Sequence, residues 1–393
     1  MYALENIGEK TKFGLEHLKA LEDYQSHEKN LLDQNKFFFE NLEKKPKIYI
    51  FGAFRNGAKF SKYCQNLGLK VAGFIDNDVL KQGTEFHGVP VLPVSAINKD
   101  DLVLIASGRH SVEIQKQLNK LGHKHWCNIL QFLFWFEAPF HAENNFRNYV
   151  KDLFVNKQKY LHLINKFTDE ESQRVLNHLI ELRLTLNDKH AAFVCDEFDK
   201  EYFDPSIIKL GHTESFVDCG AFDGDTVERF MQGAHNQYQH IYYFEPDPKT
   251  FQTVQNKFKA LPNTTGFNMA LFSEDGEQSF ANEGDMHSAI HTQGKIKIQT
   301  KKMDSLISEP VSFIKMDVEG AEAALLMGAK KIISSNKPKL AMAAYHRSVD
   351  LWHLTETVEK ILEVPCSFFL RHYSFIFDES CIYAVPTQPY FTA

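Results

Sequence analysis

The chain has 393 residues, 43% of them apolar and 24% charged, with 44 Lys and Arg against 51 Asp and Glu for a formal charge of -7. At roughly 100 to 200 residues per domain, this length predicts two or three domains with buried cores and excludes a peptide, a disulfide-stapled miniprotein and a disordered chain. The acidic balance excludes a general electrostatic attraction to nucleic acid or anionic lipid, so no nucleic-acid partner is expected.

Residues 1–10 have no signal-peptide core, and apolar clusters such as 132–136 fall far short of the roughly 20 residues that cross a bilayer. No membrane span and a cytoplasmic location are expected. Six cysteines, Cys64, Cys127, Cys195, Cys219, Cys366 and Cys381, lack any CxxC pairing and read as reduced small residues.

Residues 15–42 carry Leu18, Leu21, Tyr24, Leu31, Leu32, Phe37 and Phe38 among many charges, which predicts one or two amphipathic helices closed by Pro46. An apolar, β-branched run over 47–52 passes through Gly52 to Gly57 into a helical pattern over 58–67, predicting strand, tight turn and helix. A second strand over 70–75 ends at Asp76-Asn77-Asp78, a third is expected over 101–106 and a helix over 111–121. Asp76 follows Gly52 at a spacing near the roughly 20 residues that place a carboxylate on a dinucleotide's ribose. Phe54, however, stands where the glycine facing the pyrophosphate belongs.

Through Ile50-Phe51-Gly52-Ala53, Gly73-Phe74-Ile75-Asp76-Asn77-Asp78 and Gly88-Val89-Pro90-Val91, residues 47–129 resemble the nucleotide-sugar-binding Rossmann-like domains at the N-terminus of some sugar-modifying enzymes. The resemblance implies a nucleotide-sugar ligand. A structural or partner-docking α/β unit is the other reading, and a nicotinamide-dependent oxidoreductase centred on Gly52 and Asp76 is opposed by Phe54.

Residues 126–190 read as largely helical, with Thr168-Asp169-Glu170-Glu171 resembling a capping box at a helix start. No internal repeat appears, which disfavours a solenoid. After Gly211 strands and helices alternate again, and Ser215-Phe216-Val217-Asp218-Cys219-Gly220-Ala221-Phe222-Asp223-Gly224-Asp225-Thr226 predicts a strand, a close-approach turn and a helix. Asp223 and Asp225 would repel a pyrophosphate and attract an ammonium or sulfonium group. A following strand over 240–244 ends at Glu245, at the spacing that suits bidentate contact with ribose hydroxyls. A nucleoside carrying positive charge is the implied ligand.

Several ordered motifs then coincide: Val217 to Thr226 as above, Phe244-Glu245-Pro246, Asn268-Met269-Ala270-Leu271, Phe313-Ile314-Lys315-Met316-Asp317-Val318-Glu319-Gly320-Ala321-Glu322, Pro338-Lys339-Leu340-Ala341, Tyr345-His346 and Leu370-Arg371-His372-Tyr373-Ser374. Residues 201–386 thereby resemble the FkbM family of S-adenosylmethionine-dependent methyltransferases. The resemblance implies a seven-stranded methyltransferase sheet with S-adenosyl-L-methionine at the carboxyl ends of its first strands. It places Gly220 and Ala221 at the methionine moiety, Asp218 and Asp225 near its ammonium, Glu245 at the ribose, and Asn268 with Ala270 at the adenine, with Phe222, Thr226 and Pro246 among the other cofactor-binding residues. Helix capping by the two Asp residues and a strand-end turn at Glu245 are the structural alternatives.

Alternation along the strand starting near Ser312 puts Lys315, Asp317 and Glu319 on one surface beside the transferred methyl. An alcohol acceptor needs a base, for which His346 leads because an imidazole titrates near working pH. Asp317 and Glu319 are rivals, as bases or as ligands for a divalent cation. His346 is otherwise a hydrogen-bonded structural histidine, and Lys315 a salt-bridge partner of Asp317 or Glu322. A hairpin over 277–300 carries His287 and His291, and paired strands over 367–371 and 381–385 bring Arg371, His372 and Tyr373 toward an acceptor pocket or a packed edge.

The expected architecture is α/β: a helical segment 1–45, a Rossmann-like domain 46–130, a helical connector 131–200 and a C-terminal seven-stranded methyltransferase domain 201–393. The expected activity is O-methylation of a small-molecule, sugar or glycan hydroxyl. The alternative is a non-catalytic nucleotide-sugar-binding or scaffolding protein on a degenerate methyltransferase fold.

Overall fold

The computed structural model describes residues 13–40, 42, 47–137, 139–141, 144–281, 289–290 and 296–387. Two sheets organise them. The N-terminal sheet has six strands in the order Glu85–Phe86, Val89–Leu92, Val71–Ile75, Ile48–Phe51, Leu102–Ile105 and Trp126–Asn128. All neighbours run parallel except the hairpin Glu85–Phe86 with Val89–Leu92. Ile48–Phe51 and Leu102–Ile105 are buried along their whole lengths, which is why they read as unbroken apolar runs rather than alternating ones. Trp126–Asn128 corrects the helical expectation for its three residues. The helix starts only at Ile129, where Asn128 accepts from the Gln131 N–H and the Gln131 side chain accepts from the Asn128 N–H.

The C-terminal sheet has seven strands in the order Thr264–Phe267, His240–Phe244, Ser215–Cys219, Phe313–Met316, Lys339–Ala343, Ser380–Pro386 and Cys366–His372. Only Ser380–Pro386 runs against its neighbours. The chain steps outward from Ser215–Cys219 in one direction, then returns to its other side with Phe313–Met316. Their carboxyl ends therefore open a crevice at the topological switch point, where ligands of such sheets bind. The N-terminal sheet has the same kind of switch between Ile48–Phe51 and Leu102–Ile105.

Helices join the two sheets. Glu170–Thr185 starts where the sequence predicts a helix entry, but its cap is Asp169, whose side chain accepts from the Ser172 N–H at 2.8 Å, in place of a capping box between Thr168 and Glu171. Phe13–Ala20 packs on it through Leu15, whose N–H donates to Asn177 Oδ1 at 3.1 Å. Arg371 reaches from the far edge of the seven-stranded sheet to Asp169 Oδ2 at 2.6 Å, Asp204 Oδ2 at 3.2 Å and Ser172 Oγ at 3.0 Å. His372 is fully buried, bonded to Ser380 Oγ and to the Ile376 carbonyl. Both residues are thus framework, not acceptor contacts. All six cysteines are free thiols, and no helix among the described residues is long and apolar enough to cross a membrane.

Candidate active site

The crevice at the seven-stranded sheet's switch point encloses about 910 Å³ and is walled by Gly220, Phe222, Asp225, Thr226, Glu245, Pro246, Ala270, Lys315, Asp317 and Glu319. Ten of the predicted site residues thus share one cavity. Asp218, Ala221, Asn268 and His346 do not line it.

Gly220 sits at φ +84, and a Cβ there would fall 1.9 Å from the Asp317 carbonyl oxygen, so only glycine lets the two loops meet at the switch point. Glu245 ties the first two strand ends together. Its Oε2 accepts from the Phe222 N–H at 3.1 Å and its Oε1 from the Asp247 N–H at 2.8 Å. Burial pushes its carboxyl up to about 7, against the pull of those two N–H donors. The Asn268 amide donates to the Glu245 and Pro246 carbonyls at 2.9 and 3.1 Å, so Asn268 braces this corner from outside.

Asp218 departs from its expected place beside the cofactor's ammonium. It is 0% exposed and pairs in register with Lys315 on the neighbouring strand, its Oδ1 3.1 Å from the ammonium. Burial raises its carboxyl to about 6, with Lys315 opposing that rise. Lys315, 2% exposed, also donates to the Gly220 carbonyl at 2.7 Å. Its salt-bridge partner is therefore Asp218, not Asp317 or Glu322, and the pair fixes the glycine turn.

Opposite this turn stands a cluster of acids around one imidazole. The strand ends at Met316, and Glu319 adopts φ +53, so Asp317 and Glu319 reach the crevice from a bent loop, not by strand alternation. Asp317 Oδ2 accepts from the Tyr202 hydroxyl at 3.0 Å, and its Oδ1 lies 3.5 Å from His346 Nε2. Glu319 Oε2 lies 3.4 Å from the same nitrogen. On the ring's other side, Nδ1 is 2.9 Å from Glu322 Oε1, which also accepts from the Val318 and Gly320 N–H groups. Tyr149 donates to the Tyr345 and His346 carbonyls at 2.6 and 2.9 Å and so fixes this strand end from the helical connector.

Burial alone would lower the His346 imidazole, but Glu322, Glu319 and Asp317 outweigh it and raise it to about 10. An imidazolium has no lone pair with which to take a proton, and the ring lies behind the crevice wall. Both facts weigh against His346 as the base that meets an acceptor directly. Burial pushes Glu319 up to about 8, partly offset by His346. Burial also brings Glu201 up to about 8 and raises Glu379 well above the carboxylate range.

Tyr202, Glu322 and Glu379 receive no functional role from their sequence neighbours. Glu322 carries an advance signal as the last acid of the Asp317-Val318-Glu319-Gly320-Ala321-Glu322 run, and Tyr202 carries one as part of the Tyr202-Phe203 pair that precedes the FkbM-like region.

The N-terminal crevice, about 1400 Å³, lies beside the Gly52 turn and the start of the helix Arg55–Asn66. Asp76 is engaged there by the Ala53 and Asp78 N–H groups and by Lys81 at 3.1 Å, so it braces its own turn. Phe54 lines the cavity, its ring 2.7 Å from where a Gly52 Cβ would be. Arg55, Phe198 and Glu379 line both crevices, so the two cavities adjoin. Tyr373 belongs to the N-terminal crevice. The strands Gly276–Ala281 and Ile296–Lys301 form the predicted hairpin, while His287 and His291 lie outside the described residues.

Residues 218–377 match the methyltransferase FkbM domain, and residues 44–126 match the C2185-like N-terminal domain. The C-terminal region is accordingly an FkbM-type methyltransferase domain. The 2-O-methyltransferase NoeI of Sinorhizobium fredii (strain NBRC 101917 / NGR234) is 25% identical over 146 residues, which are 31% of this chain and 59% of that protein. The chain thus spans less than two thirds of that relative's length. The crystal structure of Methyltransferase FkbM from Methylobacillus flagellatus KT superimposes with a TM-score of 0.71 at 21% identity, covering 92% of this chain and all of that one, and so shares the fold.

Proposed function

We propose that this protein transfers a methyl group from S-adenosyl-L-methionine to a hydroxyl of a sugar or glycan-related acceptor. The observation that carries the reading is Glu245, a carboxylate at the end of the second strand that opens onto the switch-point crevice of an FkbM domain. The hydroxyl acceptor is supported by the similarity to a 2-O-methyltransferase, and the sugar is the extension made in this proposal.

The residues present suit that cofactor. The crevice falls within the few-hundred to roughly 1000 Å³ range of small-molecule sites, with carboxylates on its wall and Met269, Leu271 and Ile298 as apolar cover. Bound there, the cofactor supplies an electrophilic methyl on a sulfonium. Glu245 holds the ribose hydroxyls, Asp225 and Thr226 face the ammonium, and Pro246 and Ala270 border the base. Gly220, Ala221 and Phe222 shape the methionine end, and Asp218 acts on that turn through Lys315. Asp317 and Glu319 face the acceptor, and the Asp317 carboxylate takes the hydroxyl proton as the oxygen takes the methyl, with His346 ordering both acids from behind.

The division into a helical segment 1–45, a Rossmann-like domain 46–130, a connector 131–200 and a catalytic domain 201–393 belongs to this reading. The N-terminal crevice, with Arg55, Lys59 and Arg109 on its wall, positions the remote part of the acceptor, a nucleotide-linked sugar fitting that chemistry. The test is incubation with isotopically labelled cofactor and separate panels of sugars, UDP-sugars and amines, read as methyl gain by mass spectrometry. Methylation of a sugar hydroxyl is expected. Transfer to amines alone would overturn the acceptor class, and binding of the labelled cofactor without any transfer would favour the scaffolding alternative.

A further inference from the structure

We infer that Asp317, Glu319 and His346 form a site for one divalent transition-metal cation on the wall of the methyltransferase crevice. The inference deepens the proposed reaction and rests on it only for the cation's use, not for its binding.

The spacing comes first. His346 Nε2 lies 3.5 Å from Asp317 Oδ1 and 3.4 Å from Glu319 Oε2, both longer than a hydrogen bond. Nitrogen and oxygen ligands about 2.1 Å from a tetrahedral ion are separated by about 3.4 Å, so both imidazole–carboxylate distances match edges of such a shell.

His346 and Asp317 also carry outer-shell partners. The other imidazole nitrogen bonds to the buried Glu322 carboxylate at 2.9 Å, which selects the ring orientation that aims Nε2 at the acids. The second oxygen of Asp317 takes the Tyr202 hydroxyl, leaving Oδ1 for the cluster.

Charge points the same way. Glu322 is 0% exposed, and among the described residues its Oε2 accepts no hydrogen bond. Asp317, Glu319 and Glu322 set three carboxyl groups around this single imidazole, and uncompensated buried carboxylates are costly. A divalent cation at Nε2 would balance more of that charge than a proton does. Asp317 and Glu319 line the cavity, so an ion reaches the site from the crevice. An imidazole with carboxylates suits Mn²⁺ or Zn²⁺ better than Ca²⁺, which takes six to eight oxygens at about 2.3 to 2.6 Å. There the ion would acidify an acceptor hydroxyl.

The test is calorimetric titration of the chelator-treated full-length protein with MnCl2 and ZnCl2, with CaCl2 for comparison and no cofactor or acceptor present. One equivalent of Mn²⁺ or Zn²⁺ per chain is expected. Asp317→Asn and Glu319→Gln, on the crevice wall, should each weaken it by about tenfold or more, and Glu322→Gln by about 10- to 100-fold. The nitrogen coupling in the Mn²⁺ electron-spin spectrum should vanish in His346→Gln. Absence of saturable binding, or binding indifferent to Asp317→Asn and Glu319→Gln, would overturn the inference. S-adenosylhomocysteine titrated into the same chelated sample reports separately on the methyltransferase reading, so each can fail alone.

Discussion

The Phe222 N–H donates to Glu245 Oε2 at 3.1 Å, joining the turn after the first strand of the seven-stranded sheet to the end of the second. One carboxylate thereby orders the turn beneath the crevice while standing on the crevice wall. Replacing Glu245 by Gln keeps a similar shape but loses the charge-assisted bonds a carboxylate makes to hydroxyls. Glu245→Gln should therefore weaken S-adenosylhomocysteine binding by about 1 to 3 kcal/mol, measured by calorimetry, with the fold retained by circular dichroism.

Gly220→Ala tests the close approach at the switch point. The new Cβ would meet the Asp317 carbonyl oxygen at 1.9 Å in a left-handed backbone. Strain of about 1 to 3 kcal/mol from the backbone alone, with the clash added, should lower the melting temperature and abolish product-analogue binding. A variant with wild-type melting and affinity would show that the loops do not meet there.

The Asp218 and Lys315 pair is a buried ion pair, not a ligand contact. Lys315→Met alone leaves the Asp218 carboxylate buried without its cation and should cost about 3 to 5 kcal/mol in urea unfolding. The double variant Asp218→Leu, Lys315→Met should recover much of that loss, because no charge is then stranded. Equal destabilisation of single and double variants would contradict this assignment.

His178 and His190 face each other at 3.2 Å between their Nδ1 atoms, beside Phe13. Burial, with Arg174 adding to it, lowers His178 to about 4, and burial with His178 lowers His190 to about 3. Their unfolded values lie near 6.5, so the unfolded chain binds more protons between those limits. The stability they contribute is complete above about pH 6.5 and is lost as pH falls toward about 4 and then 3. Melting should drop between about pH 7 and pH 5, and less so in His178→Gln, His190→Gln. An identical drop in that variant would place the acid sensitivity elsewhere.

Glu245 was legible because its spacing from Gly220 is set inside one strand–helix–strand unit. Gly220, Asp225 and the acids after Phe313 were legible for the same local reason. Asp218 was not, because its register against Lys315 joins strands that are neighbours in the sheet but distant in sequence. His346 could be placed at a strand end, yet its burial behind Asp317 and its contact with Glu322 depend on three loops meeting. Glu319 reached the expected surface through a left-handed residue that strand alternation does not describe. Trp126–Asn128 became a strand because the open edge beside Leu102–Ile105 pairs with it, a tertiary demand its aromatic helical surroundings conceal. The adjoining of the two crevices at Arg55, Phe198 and Glu379 comes from three distant segments and left no trace in any one of them.

The most direct test of the central claim is calorimetric titration of the purified full-length protein with S-adenosylhomocysteine, beside Glu245→Ala and with NAD and a UDP-sugar as separate titrants. Saturable binding of the homocysteine nucleoside that falls sharply in Glu245→Ala is the predicted result. Binding of NAD or UDP-sugar with no response to S-adenosylhomocysteine would contradict the account and move the function to the N-terminal crevice.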